Sequence, residues 1–277
     1  MKQGIPHSAL SLGISPCPND TFIFDAWVNG KLGHTAPAVT CHIADIAVLN
    51  DMALRGILDV VKVSAYAYGY VQDTYELLHA GGAMGRGCGP LIVARSRLID
   101  RTALADPANT IAVPGTLTTA NALLCLYQPA AHNRIVMPFD QIMPAVARGD
   151  VAAGVIIHEG RFTFMRYGLE MIEDLGAWWE STTGYPVPLG VIVVKRSLGT
   201  ATAAVVQTTI RASLQMALDN PDHPRAFMQQ HAAELDPEIM QQHVELYVNQ
   251  YTLDLGDEGL RALEYFLSCL RAQRLLA

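Results

Sequence analysis

Short apolar runs alternate with helical patterns over the first two thirds of the chain. Residues 9–14, 39–43 and 60–63 read as strands, the second by its alternating β-branched positions, and the third ends at Ser64. Helical spacing follows each of them, over 21–28, 45–55 and 65–71. Gly81 to Pro90 is the most glycine-dense segment and reads as backbone bends leading into a strand at 91–94. A second unit then predicts strands at 111–113, 135–137, 151–157 and 189–194, with helices at 118–126, 141–148 and 159–166. Alternation of this kind predicts an α/β protein with mostly parallel sheets covered by helices. From Ser197 the pattern is almost wholly helical. A long amphipathic helix covers 201–219, Pro221, Pro224 and Pro237 mark helix starts, and 259–276 closes the chain.

The economical arrangement is two α/β lobes with the C-terminal helices packed back on the first. The larger lobe is expected over 1–100 and 195–277, and the smaller over 101–194. The chain would cross between them near 94–109 and return near 188–195. Clefts between lobes are common ligand sites.

The 277 residues include 51% hydrophobic positions, enough for a sizeable core. Nineteen basic residues against 26 acidic ones give a net charge of −7, and the charges are scattered. That distribution recommends neither nucleic acid nor an anionic membrane as partner. The five cysteines form no C-x-x-C pair, which predicts free thiols in a reducing, cytoplasmic setting. The opening residues carry no secretory apolar region, and no run is long enough to span a membrane.

The candidate chemistry centres on one histidine. His158 stands at the end of the 151–157 strand, and ligands of open α/β sheets bind at the carboxyl ends of strands. An imidazole with a reference pKa of about 6.5 can act there as a base near neutral pH. A satisfied buried histidine is the alternative. Glu159 is its possible partner or merely a first-turn acid, and Arg161 a carboxylate ligand or a surface charge.

Two turns look built for an anion. Ser15-Pro16-Cys17-Pro18-Asn19-Asp20-Thr21 joins the first strand to the first helix, where Asn19, Asp20 or Thr21 can cap it. Pro114-Gly115-Thr116-Leu117-Thr118-Thr119 repeats the arrangement in the second unit. Exposed N–H groups at such helix starts accept carboxylates. Each turn reads equally as a stiff turn with an ordinary cap. Ser64, at a third strand end, fits the same logic. Ser15, Asn19, Ser64, Thr118 and Thr119 are therefore the candidate substrate-binding residues, for a small organic anion. No P-loop or dinucleotide fingerprint, metal-ligand spacing or G-x-S-x-G elbow occurs, so neither cofactor nor metal is expected. Trp178-Trp179 reads as core packing.

Several segments together carry a family resemblance. They are Ser15 to Phe22, Gly85 to Pro90, Val113-Pro114-Gly115 with Thr118-Thr119-Ala120, Gly154 to Phe162, Asp174 to Trp179 and Pro186 to Gly190. In this order the chain resembles the 1,4-dihydroxy-6-naphthoate synthases of the futalosine route to menaquinone, from about Ser11 to Lys195. The C-terminal helices match in general character only. The resemblance implies a two-lobed fold like the type II periplasmic binding proteins, with a ligand cleft between lobes. It implies a cofactor-free lyase that converts cyclic dehypoxanthine futalosine to 1,4-dihydroxy-6-naphthoate and dihydroxyacetone, with His158 as the base. Two rivals share that scaffold. One is a solute-binding protein for a small organic anion, and the other is the related chorismate-using dehydratase of the same pathway.

Overall fold

A computed structural model describes residues 9–232 and 236–276. Residues 1–8, where no secretory region is expected, lie outside them. The first sheet unit runs β1 (Leu10–Ile14), α1 (Pro18–Val28), β2 (Val39–Ile43), α2 (Ile46–Leu54), β3 (Val60–Ser64), α3 (Ala65–Val71) and β4 (Tyr75–Gly85). The second runs β5 (Leu91–Ala94), β6 (Ile111–Val113), α4 (Thr119–Tyr127), β7 (Arg134–Val136), α5 (Phe139–Arg148), β8 (Ala153–Ile156), α6 (Gly160–Thr163), β9 (Glu170–Asp174) and α7 (Leu175–Thr183). β10 (Val187–Lys195) then leads to α8 (Gly199–Asp219), α9 (Arg225–His231), α10 (Pro237–Tyr247), α11 (Gln250–Leu253) and α12 (Gly256–Ala272).

Two five-stranded sheets result, ordered β2-β1-β3-β10-β4 and β7-β6-β8-β5-β9. Each has the same plan. β1 lies parallel between β2 and β3, and β6 lies parallel between β7 and β8. One antiparallel strand follows in each, β10 in the first and β5 in the second. The strand order therefore reverses at β1 and at β6, the positions where open α/β sheets form ligand crevices.

The sheets divide the chain at places other than those expected. β5 already belongs to the second sheet and β10 to the first, so the chain passes between sheets at 86–90 and again at 184–186. The glycine-dense segment differs too. Gly81, Gly82 and Gly85 lie within the long strand β4, whose pairing with β10 shifts register near Gly190. Gly81 takes φ +81° there, which only glycine adopts easily. At the first crossing, a Cβ on Gly89 would run into the Gly176 backbone at the start of α7, so these two glycines let the segments touch.

The predicted helix over 159–166 is broken into α6 and a 3-10 turn over Phe164–Tyr167, and β8 is shorter than the apolar run suggested. β9 carries no strong apolar alternation and was not expected. One apolar cluster runs through both sheets, joining Val61, Val63 and Val191 to Ile92, Ile111 and Val113. A second packs α1 and α8 against β1 and β10, which ties the C-terminal helices to the first lobe. Trp179 is fully buried in the shared core, and Trp178 packs edge-on against Tyr127.

Candidate active site

The carboxyl ends of β1, β3, β6 and β8 converge on one cavity. Ser15, Asn19, Ser64, Thr118, Thr119 and His158 all line it. So do Asp20, Lys62, Cys88, His243 and Tyr247, which the sequence reading did not place among the binding residues.

α1 starts with Pro18 at its first position, where a missing N–H costs nothing. Its N-cap is Cys17, in extended conformation and without a side-chain cap, not Asn19, Asp20 or Thr21 as anticipated. This leaves Asp20 free to fold back on the turn. Its Oδ2 accepts from the Ser15 amide at 3.1 Å and the Ser15 hydroxyl at 2.7 Å. Its Oδ1 accepts from Asn19 Nδ2 at 3.0 Å and from Lys62 Nζ at 2.6 Å. Lys62 and Asp20 are both buried, a pairing that satisfies each charge where solvent cannot. A lone lysine inside the apolar run Val60 to Ser64 was the available signal for it. The pair leaves this wall of the cavity near neutral.

The Thr118 turn is a true helix cap. Thr118 Oγ accepts from the Asn121 amide at 3.3 Å and donates to Gly115 O at 2.8 Å. Thr119 Oγ donates to Leu189 O at 2.8 Å, and Ser64 Oγ accepts from Asn50 Nδ2 at 3.0 Å. The two threonine hydroxyls spend their protons on backbone carbonyls, whereas the Ser64 hydroxyl accepts. For an anion the backbone offers further donors: Thr119 and Ala120 open α4, where N–H groups precede any intrahelical acceptor, and both line the cavity.

His158 stands two residues past the last residue of β8 with φ +56°, a left-handed conformation rare outside glycine. The conformation turns the chain sharply before α6 and puts the ring into the cavity wall. Cys17 Sγ lies 3.1 Å from His158 Nδ1, and Phe139 packs edge-on against the ring. Burial pushes the His158 pKa down to about 4, the nearby Asp20 carboxylate opposes the shift, and Lys62 adds to it. The ring is thus neutral at neutral pH, further from titration than its reference value implied. Burial, followed by the carboxylates of Glu159 and Asp20, holds the Cys17 thiol well above its ordinary value, so it is a protonated S–H.

Two neighbours of His158 have other positions. Arg161 pairs with Asp174 at 2.5 Å and donates to Gly89 O at 2.8 Å, pinning the first crossing to the start of α7. Glu159 lines an adjacent pocket with Phe139 and Tyr167. Among the described residues no group of three or more His, Cys, Asp or Glu could hold a metal ion, and no helix is long and apolar enough to cross a membrane.

The sequence and the fold both have known relatives. The chain is 45% identical to the 1,4-dihydroxy-6-naphthoate synthase of Streptomyces coelicolor over 272 residues, 96% of this chain and 94% of that one. It is 45% identical to the enzyme of the same name from Thermus thermophilus over 269 residues, 97% and 96% of the two chains. A crystal structure of an Archaeoglobus fulgidus protein superposes with a TM-score of 0.90 at 34% identity, covering 98% of this chain and 100% of the other. The alkanesulfonate-binding protein of Xanthomonas axonopodis, bound to MOPS, superposes with a TM-score of 0.74 at 15% identity over 97% and 94% of the chains. That last likeness shows the fold alone, that of the periplasmic binding proteins. With a family model described as menaquinone biosynthesis matching residues 10–272, nearly the whole described fold and every residue of the cavity, the chain belongs to the menaquinone biosynthesis family.

Proposed function

We propose that the cavity converts cyclic dehypoxanthine futalosine to 1,4-dihydroxy-6-naphthoate and dihydroxyacetone, with His158 as general base. Family membership makes the chain an enzyme of menaquinone biosynthesis, and its curated relatives carry the synthase name. The observation that carries the finer reading is His158 itself: neutral, held on a strained backbone, and facing the space below the α4 N-terminus. A binding protein on this scaffold needs the anion cradle but no such base.

In this reading the substrate carboxylate rests on the amides of Thr119 and Ala120, beside Ser64 and the Ser15–Asn19 turn. His158 Nδ1 is paired with the Cys17 sulfur, and the tautomer that carries the ring proton on Nδ1 leaves Nε2 bare and basic. It removes a C–H proton next to a group that can hold the resulting electron pair. A carbon–carbon bond then breaks, the bicyclic ring becomes aromatic, and the proton returns to the departing three-carbon unit. The low pKa keeps the base unprotonated at neutral pH, at some cost in basic strength. A bound substrate anion raises it again.

Incubation of the purified protein with cyclic dehypoxanthine futalosine, followed by naphthoate fluorescence and mass, tests the reaction. His158→Asn should bind the substrate and lose about 10²–10⁴-fold in turnover. Tight binding without conversion by the wild type would favour a solute-binding protein, and conversion of chorismate instead would favour the dehydratase.

A further inference from the structure

His243 faces the same cavity from α10, one turn before Tyr247. The residue is 1% exposed, and its ring stands 6.4 Å from the His158 ring, centroid to centroid. Its Nε2 lies 3.0 Å from Asn19 Oδ1. The orientation of Asn19 decides the tautomer. Because Asn19 Nδ2 donates to Asp20, Oδ1 must be the atom facing His243, and it can only accept. The proton therefore sits on Nε2. Burial, reinforced by His158 and Lys62, keeps the ring neutral. Nδ1 is then a bare lone pair. Among the described residues it is the buried side-chain nitrogen or oxygen with no hydrogen-bond partner. Native interiors rarely leave such an atom unpaired, and a functional role is one reason when they do.

We propose that His243 Nδ1 accepts a hydrogen bond from a hydroxyl of the substrate and positions the hydroxylated three-carbon unit against His158. The proposal rests on the reaction assigned above. A lone pair rejects a carboxylate and admits only an O–H or N–H donor. The anionic end of the substrate therefore belongs at the α4 amides and the hydroxyl-bearing end at α10. The fragment that departs as dihydroxyacetone supplies the hydroxyls. This makes His243 a positioning and selectivity residue, held in tautomer by the Lys62–Asp20–Asn19 chain.

Three variants test it, each checked for folding by circular dichroism and thermal melting. His243→Asn places an amide oxygen near the position of Nδ1. His243→Gln places its amide near Nε2, where it can still donate to Asn19. His243→Phe removes both contacts. With cyclic dehypoxanthine futalosine, the Gln and Phe variants should raise KM about tenfold or more, with a smaller change in kcat, while Asn recovers part of the loss. An analogue of the substrate lacking one sugar hydroxyl should be bound equally by the wild type and the Phe variant when that hydroxyl is the donor. A purely structural role in holding Asn19 predicts the reverse order, with Gln close to wild type and Asn impaired. That order, or unchanged KM in all three variants while the wild type converts the substrate, overturns the inference alone. Failure of the wild type to convert or bind the substrate overturns the functional reading, and this inference with it.

Discussion

Cys17 Sγ and His158 Nδ1 are 3.1 Å apart although 141 positions separate them in the chain. Cys17 follows β1 of the first sheet and His158 follows β8 of the second, so the contact bridges the two lobes across the cavity. The sulfur is the partner of one ring nitrogen and leaves the other for chemistry.

Replacing Cys17 should therefore affect turnover more than binding. Cys17→Ala is expected to lower kcat about tenfold with little change in KM, because the ring loses the contact that sets its orientation and tautomer. Cys17→Ser keeps a hydrogen-bonding atom and should retain most activity. Steady-state kinetics of both variants check this, and equal kcat for Ala and wild type would remove the orienting role.

The lowered pKa of His158 predicts an unusual acid limb. kcat/KM reports the free enzyme, so it should hold from neutral pH to about 5 and fall near 4, where an ordinary histidine would already have failed near 6.5. A bound substrate carboxylate raises that pKa, so the limb in kcat should lie at higher pH than the limb in kcat/KM. The same shift acts on stability. Between pH 6.5 and 4 the unfolded His158 binds a proton that the folded ring refuses, and His243, held well below its ordinary value by burial, acts in the same direction. Stability is thus present above this window and is lost as pH falls through it. Melting temperatures from pH 7 to 4.5 should drop less steeply for His158→Asn than for the wild type.

Lys62 should matter mainly through Asp20. Lys62→Met leaves a buried carboxylate with hydrogen bonds but no counter-charge, and breaking such a pair costs about 3–5 kcal/mol. Adding Asp20→Asn removes the stranded charge and should recover a large part of the loss. Denaturant unfolding of the single and double variants measures both steps, and additive losses would contradict the pairing.

Thr118 distinguishes a capping hydroxyl from a ligand hydroxyl. Its oxygen is committed to the Asn121 amide, so Thr118→Val should cost about 0.5–2 kcal/mol of stability and raise KM less than tenfold. A large loss of affinity with unchanged melting temperature would instead put the hydroxyl on the substrate.

By itself the sequence determined the alternation of strands and helices, the α1 and α4 turns, and the placing of His158 at a strand end. These are local features. Capping residues, a proline at the first helical position and the period of apolar residues act over a few neighbours, so a linear reading captures them. Tertiary structure decided the rest. β9, the full length of β4 and the points where the chain changes sheets depend on pairing between distant segments, which no local pattern encodes. It also decided which polar side chains meet. Thr118 and Ser64 were ligand candidates along the chain, but packing gave the Thr118 hydroxyl an acceptor and a donor of its own and the Ser64 hydroxyl a donor. His243 was not singled out along the chain, and it joins the site through the packing of α10 on α1, which sets it against Asn19, 224 positions earlier. The charge state of His158 followed the same rule. Its pKa is set by burial and by the distance to Asp20 and Lys62, quantities that exist only once the two lobes close around one cavity.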